Sequence, residues 1–282
     1  MSNQPGVLYV VATPIGNLDD LSPRALLTLN EVSLIAAEDT RHSSKLLRHF
    51  GILTPVTAFH EHNEREKAAE LVALLGTGKS IALISDAGTP LVSDPGYRLV
   101  RTAHAAGIRV VPLPGACAAI VALSASGLPS DRFAFEGFPP VKSAARRTWF
   151  EALTGEPRTL IVYESPHRIV ESLQDMVAVF GAAREAVYAR ELTKQFETVR
   201  HAALGELTRW VAEDANQQRG EIVVLIHGAA PAQPETSEDA TRILRILIKQ
   251  LPVSQAAALA AEITGQKKNQ LYELALQLKQ GQ

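Results

Sequence analysis

Short apolar runs alternate with segments of helical periodicity from the start of the chain. Val7–Ala12, Val32–Ala37, Val56–Phe59, Ser80–Ser85 and Ile108–Pro112 are predicted as strands. Their nearly unbroken apolar character suits strands buried on both faces, as in a parallel sheet covered by helices. Between them, Ser22–Leu29, Ser43–Phe50, Glu61–Leu75 and Tyr97–Ala106 are predicted as helices. Ser22-Pro23 supplies a capping side chain and a first-turn proline, and Gly76 and Gly107 stand where helices stop. Five such units before residue 128 indicate an open α/β sheet. The pattern restarts after the turn-rich stretch 127–131. Strands are expected at Phe133–Phe138, Thr159–Tyr163, Ala186–Ala189 and Glu221–Ile226, and helices at Arg146–Leu153, Ile169–Phe180 and Leu204–Val211. Gly228–Glu238 reads as a linker, and beyond it Thr241–Gln250 and Ser254–Leu278 carry only helical periodicity. The expected architecture is two α/β domains, 1–129 and 130–230, followed by a linker and helical extension over 231–282.

Composition narrows the classes. The chain has 282 residues, 46% of them apolar and 21% charged, which is ordinary globular usage. With 28 basic and 30 acidic residues the net charge is −2, so any nucleic-acid site must be a local basic patch. The single cysteine, Cys117, excludes an intrachain disulfide. The longest apolar run, Ala116–Leu123, has eight residues, short of the roughly 18 a spanning helix needs. The N-terminus lacks signal-peptide character. A cytoplasmic protein without a membrane partner is expected.

Open α/β sheets bind ligands beyond the carboxyl ends of their strands. Three strand-end loops combine Gly and Pro with small residues: Thr13-Pro14-Ile15-Gly16-Asn17-Leu18, the twelve residues Ser85 to Gly96, and Pro112 to Ala118. Each alone is also plain turn chemistry; together they point to a shared small-molecule cleft. Gly76-Thr77-Gly78-Lys79-Ser80 is not a P-loop, because Ala73 replaces its first glycine and a strand follows rather than precedes it. No G-x-G-x-x-G follows the first strand. His60-Glu61-His62 lacks metal-site spacing and suits a polar helix start; no metal is expected. Ala37-Glu38-Asp39-Thr40-Arg41 places two carboxylates and a cation at a strand end, where they either cap the next helix or supply a base and a phosphate ligand. Glu164-Ser165-Pro166-His167-Arg168 and Arg190-Glu191-Leu192-Thr193-Lys194 end later strands as a polar ligand rim or an ion-pair network. From Ala240 to the end, six basic and two acidic residues give a local +4. There, Ala256–Ile263, Thr264-Gly265 and Lys268–Leu278 read as a helix-turn-helix, either a nucleic-acid reader or a packing and dimer element.

Taken in order, these motifs over residues 7–228 resemble the tetrapyrrole (corrin/porphyrin) methylase superfamily. Thr13–Leu18, Ala37–Arg41 and Ser85–Pro90 are similar to its branch that methylates small-subunit ribosomal RNA. The resemblance implies two α/β domains with S-adenosylmethionine in the interdomain cleft, homodimers, and 2′-O-methylation of a cytidine in the decoding region of 16S rRNA. The substrate would be 16S rRNA or the small ribosomal subunit. Gly88-Thr89-Pro90 stands in place of the Gly-Asp-Pro of many tetrapyrrole-modifying members, which argues against a tetrapyrrole substrate. The cofactor would be held by Pro14, Ser85, Asp86, Ala87, Gly88, Thr89, Val92, Gly115, Cys117 and Ala118 from the first domain. Tyr163, Glu191, Leu192, Gly220 and Glu221 would close over it from the second. Glu38 or Asp39 is the candidate base for the 2′-hydroxyl proton, unless alignment alone suffices. Arg41, Lys45, Arg48, Lys142, Arg146, Arg147, Lys267 and Lys268 are candidate phosphate contacts. The competing readings are a methylase of a small tetrapyrrole and a non-enzymatic nucleic-acid-binding regulator.

Overall fold

The computed structural model describes residues 4–230 and 237–280, with backbone alone at 237–239 and 280. Strands β1 (Val7–Val11), β2 (Leu34–Ala37), β3 (Val56–Ala58), β4 (Ile81–Ile84) and β5 (Arg109–Leu113) form a sheet in the order β3-β2-β4-β1-β5. Every pairing in it is parallel. Because side chains alternate across a strand, Ala82 and Ile84 face one layer while Ile81 and Leu83 face the other. Helices α1 (Pro23–Glu31) and α2 (Thr40–His49) cover the first face through Leu29 and Leu47. Helices α3 (Glu64–Gly76) and α4 (Tyr97–Ala105) cover the second through Leu71 and Leu99. Two buried faces explain why the strands carry no polar alternation.

The helix ends follow the capping rules where the sequence supplies a cap. Ser22 Oγ accepts from the Ala25 amide at 3.1 Å, and Pro23 follows it. Helix α2 begins three residues before the expected Ser43, because Asp39 Oδ1 accepts from the amides of Arg41 (2.7 Å) and His42 (3.2 Å). Glu64 is buried and caps a different helix: its Oε1 accepts from Gly96 and Arg98 amides, both at 3.0 Å, tying α3 to the start of α4.

The second sheet contains β6 (Phe133–Gly137), β7 (Thr159–Glu164), β8 (Glu185–Arg190), β9 (Thr198–Ala203) and β10 (Ile222–Ile226), in the order β6-β7-β10-β8-β9. It is mixed: β6 runs parallel to β7, while β10 is antiparallel to both β7 and β8. The edge strand β9 pairs antiparallel to β8 and has no counterpart among the expected strands. Its Val199, Arg200 and His201 are exposed, so it lacks the apolar run that marked the others. Helices α6 (Ser143–Glu151), α7 (Ile169–Phe180) and α8 (Leu204–Glu213) supply Phe150, Leu173 and Leu207 to one side of the sheet.

The other side is covered by α5 (Ala118–Ser126), whose Ala119, Ala122 and Leu123 pack with Ile161, Val187, Val223 and Leu225. The turn at 127–131 therefore separates the strands of the two sheets but not their packing, since the helix before it belongs to the later sheet's core. The chain as a whole divides into Met1–Thr154 with Arg158–His227, and Gly155–Pro157 with Gly228–Gln282.

In the second unit, α9 (Ser237–Leu247), α10 (Val253–Thr264) and α11 (Lys268–Gln280) share a core of Ala240, Leu244, Ala257, Ala260, Leu271 and Ala275. Gly265, at φ +67°, closes α10 in the left-handed cap that glycine favours. Most of the expected linker, 231–236, lies outside the described residues. Among those described, no helix is long and apolar enough to cross a membrane.

Candidate functional site

Adjacent strands β1 and β4 send their following helices, α1 and α4, to opposite faces of the sheet. Such a switch point opens a crevice beyond the strands' carboxyl ends. Across it, the Thr13 amide donates to the Gly88 carbonyl (2.8 Å) and the Gly88 amide to the Thr13 carbonyl (3.0 Å). Thr89 Oγ1 donates to the Ala116 carbonyl at 2.9 Å, joining the third loop to the second. Gly88 holds φ +80°, and a Cβ there would lie 3.3 Å from Ile15 Cγ2. Leu91 (φ 74°) and Ser93 (φ 67°) are also left-handed, a strain of order 1–3 kcal/mol each that is typical of ligand loops.

The second sheet supplies the facing wall. The Ala119 amide donates to Tyr163 Oη at 3.1 Å. Lys194 Nζ bridges Glu191 (2.8 Å) and Glu221 (3.2 Å), and Glu191 Oε1 also accepts from the Glu221 amide at 3.0 Å. Burial would raise the Glu191 pKa, but these hydrogen bonds hold it below the usual range. A Cβ at Gly220 would lie 2.3 Å from Glu191 Oε1, and one at Gly16 would lie 3.0 Å from the Leu192 carbonyl. Glycine at 16 lets the first loop close on the β8 end of the second sheet, and glycine at 220 lets the β10 entry pack against the Glu191 side chain within that sheet.

Between these walls lies a cleft of about 420 Å³, within the range of small-molecule sites. Eleven of the expected ligand residues line it: Asp86, Ala87, Gly88, Thr89, Val92, Cys117 and Ala118 from the first wall, and Tyr163, Leu192, Gly220 and Glu221 from the second. Four do not. Pro14 is half-buried beside the Thr13 bridge, and Ser85 is buried with its hydroxyl donating to the Ala87 carbonyl. Gly115 faces Ala12, where a Cβ would lie 2.8 Å from the Ala12 Cβ, and Glu191 stands behind Gly220. These support the lining and do not form it. Ile15, Asp94 and Phe138 line the cleft without having been named as ligand residues, and Glu164, expected in a polar ligand rim or an ion-pair network, lines it too.

Its carboxylates are not equivalent. Glu38 lines the cleft, and burial followed by the nearby Asp86 raises its pKa. Its Oε2 accepts from the Asp86 amide at 3.4 Å, and Asp86 Oδ1 accepts from the Asp39 amide at 3.1 Å, latching two loops together. Asp39 is corrected as a candidate base: its carboxylate caps α2, and the Arg41 and His42 amides hold its pKa below the usual range. Asp94 is the more strongly perturbed acid. Burial raises it to about 6, with Glu38 and Asp86 adding to the rise and a hydrogen bond from Ser85 opposing it. Burial also pushes the Tyr163 hydroxyl well up, so it remains a neutral hydrogen-bonding group. Among the described residues no group of three or more His, Cys, Asp and Glu side chains could hold a metal ion.

The candidate phosphate contacts divide similarly. Arg41, Lys45 and Arg48 are exposed at helical spacing on α2, and Lys142, Lys267 and Lys268 are exposed as well. Arg146 is corrected: it is fully buried, its Nε donating to Asp175 Oδ2 at 2.8 Å. Arg147 is half exposed but also donates to Asp175, as does Ser143. Helical phase turns residue 146 inward one turn before Phe150, so its charge locks α6 onto α7. Asp175→Ala, which strands a buried guanidinium, is expected to cost about 3–5 kcal/mol of stability in a denaturant titration.

Residues 7–208 match the family model "Tetrapyrrole (Corrin/Porphyrin) Methylases", and residues 234–279 match "RsmI C-terminal HTH domain". The chain is 62% identical to "Ribosomal RNA small subunit methyltransferase I" of Pseudomonas aeruginosa, covering 96% of this chain and 97% of that one. It is 58% identical to the protein of that name from Escherichia coli O157:H7, covering 98% and 96%. Its fold is similar to that of uroporphyrin-III C-methyltransferase from Thermus thermophilus complexed with S-adenyl homocysteine. That likeness has a TM-score of 0.54 at 17% identity and covers 79% of this chain and 97% of that one. The chain belongs to the ribosomal RNA small subunit methyltransferase I family, within the tetrapyrrole methylases.

Proposed function

We propose that the protein transfers the methyl group of S-adenosylmethionine to the ribose 2′-oxygen of a cytidine in the decoding region of 16S rRNA, acting in the cytoplasm as a homodimer. The observation that carries this reading is the near full-length identity to small-subunit rRNA methyltransferases. The cleft fits the cofactor: its volume suits a molecule of that size, and Gly88, at φ +80°, keeps its loop backbone packed against the lining residue Ile15 with no side chain of its own. Ile15, Ala87–Thr89, Val92 and Cys117–Ala118 would hold it on one side, and Tyr163, Leu192 and Gly220–Glu221 on the other. Bound there, it supplies a methyl group already activated on a sulfonium.

The protein's part is then alignment and proton removal. The two walls fix the direction from which the ribose oxygen approaches and keep water from competing. Asp94, poised near pKa 6 by burial, is ionised at neutral pH and basic enough to take the 2′-hydroxyl proton as the oxygen attacks. Glu38, raised by burial and by Asp86, keeps a second carboxylate in the same cleft. Arg41, Lys45 and Arg48 present a cationic helix face to RNA phosphates.

The test is transfer from labelled S-adenosylmethionine to small subunits from a deletion strain, followed by nucleotide mapping. Label on the 2′-oxygen of one cytidine supports the reading; label on a porphyrinoid, or none with RNA bound, overturns it. Sedimentation checks the dimer. For the helical extension, alanine at both Lys267 and Lys268 is expected to weaken RNA affinity and to lower the slope of log K against log salt by about 2. An unchanged slope removes that turn from the RNA interface.

A further inference from the structure

Glu164 ends β7 with its side chain fully buried. Its Oε1 accepts from the Ser165 amide at 2.7 Å and from Arg168 Nε at 2.6 Å. Its Oε2 has no hydrogen-bond partner, although Glu164 lines the cleft. A buried acceptor without a donor costs free energy that folding alone does not return. Arg168 links this carboxylate to an aromatic neighbour: its other arm donates to the Pro139 carbonyl at 3.2 Å, fixing the segment that carries Phe138. Phe138 lines the same cleft and is 55% exposed, an unusual state for a phenylalanine held edge-on to Tyr163 at 5.5 Å between centroids. Phe138 thus offers an exposed aromatic face to the cleft, and Glu164, which lines the same cleft, keeps a buried carboxylate oxygen without an N–H donor.

We propose that these residues form a nucleobase subsite, in which the target base stacks on Phe138 and its exocyclic amine donates to Glu164 Oε2. A flat ring with an amino group is the chemistry that matches both features, and an enzyme acting on one nucleotide of a folded RNA must take that nucleotide out of its stack. The assignment rests on the cytidine reading above and deepens it. Cytosine presents an N4 amine, whereas uracil presents an O4 acceptor that would oppose the carboxylate. Glu164 is then the residue that distinguishes the two bases.

The experiment uses the full-length protein and two small-subunit substrates differing only in cytosine or uracil at the mapped position. The wild type is expected to favour cytosine by roughly 10–100-fold or more in kcat/KM. Glu164→Gln can turn an N–H towards O4, so its preference should collapse to within about threefold while cofactor affinity by calorimetry stays unchanged. Phe138→Ala, at an exposed position that leaves the buried pair intact, should lower kcat/KM on both substrates by roughly 10-fold without altering cofactor affinity. A Glu164→Gln enzyme that keeps the wild-type preference overturns the assignment; weakened cofactor binding in that variant would place the carboxylate on the cofactor's amine instead. An inactive Glu164→Gln protein leaves Phe138→Ala to decide, and unchanged kcat/KM there overturns the subsite. Failure of the wild type to methylate either subunit would remove the cytidine reading itself, and with it this one.

Discussion

Asp94→Asn is expected to lower single-turnover methyl transfer by about 10²–10⁴-fold at pH 8 while leaving cofactor affinity near the wild-type value. A general base works only when ionised, and burial holds Asp94 at about 6. The wild-type rate should therefore fall as pH drops through 6, approaching tenfold per unit, and the variant's lower rate should lack that limb. Stability runs the other way. A carboxyl whose pKa is raised on folding favours the native state fully below its unfolded value near 3.8, and that contribution is lost as pH rises through about 6. Asp94→Asn should thus be more resistant to denaturant than the wild type at pH 8 and lose this advantage at pH 4. Rate profiles of Asp94→Asn and Glu38→Gln separate the carriers. If Asp94→Asn keeps both the rate and the acidic limb, Asp94 is not the base, and Glu38 or alignment alone must account for transfer.

The second large effect is expected at Gly88. Valine there must adopt φ +80°, where a β-branched side chain is strained, and its Cβ would meet Ile15 Cγ2 at 3.3 Å and the Ala116 carbonyl at 3.5 Å. Relief of that strain would break the paired hydrogen bonds between Thr13 and Gly88, which join the first two ligand loops. Cofactor affinity is expected to fall by roughly 100-fold, equivalent to about 2.7 kcal/mol. The far-ultraviolet spectrum should persist, because residue 88 lies outside every strand and helix. Gly76→Ala is the matched control: a Cβ there meets nothing within 4 Å, and calorimetry should find its affinity unchanged. Equal affinity in Gly88→Val would take this loop out of the site.

The fold was most legible where burial on two faces leaves a run of apolar residues, as in β1, β4 and β10. It was least legible at β9, whose edge position requires no apolar pattern. Helix α5 was hidden for the opposite reason: Ala116–Leu123 is apolar throughout and marks no period by which its packing face could be assigned. The strand-end loops named most of the cleft's lining, because glycine and proline signal local backbone shape. What they could not supply was burial. Asp94 sits in a loop already singled out, yet nothing in its spacing distinguishes a perturbed acid from an exposed one. Asp39 and Glu38 are neighbours in sequence, but the start of α2 claims one and the cleft keeps the other. Arg146 resembles Arg147 until Asp175, 29 residues away, is brought beneath it.

The docking of α5 on the later sheet sets an order on synthesis. The strands of the first sheet are all present once residue 113 has been made, whereas α5 is translated by residue 126 and the strand at the centre of its binding face, β10, ends at residue 226. At about 5–20 residues per second, an alanine- and leucine-faced helix leaves the ribosome roughly 5–20 s before its cover exists. During that interval the nascent chain carries a folded sheet and an apolar helix with nothing beneath it, the kind of surface that chaperones recognise.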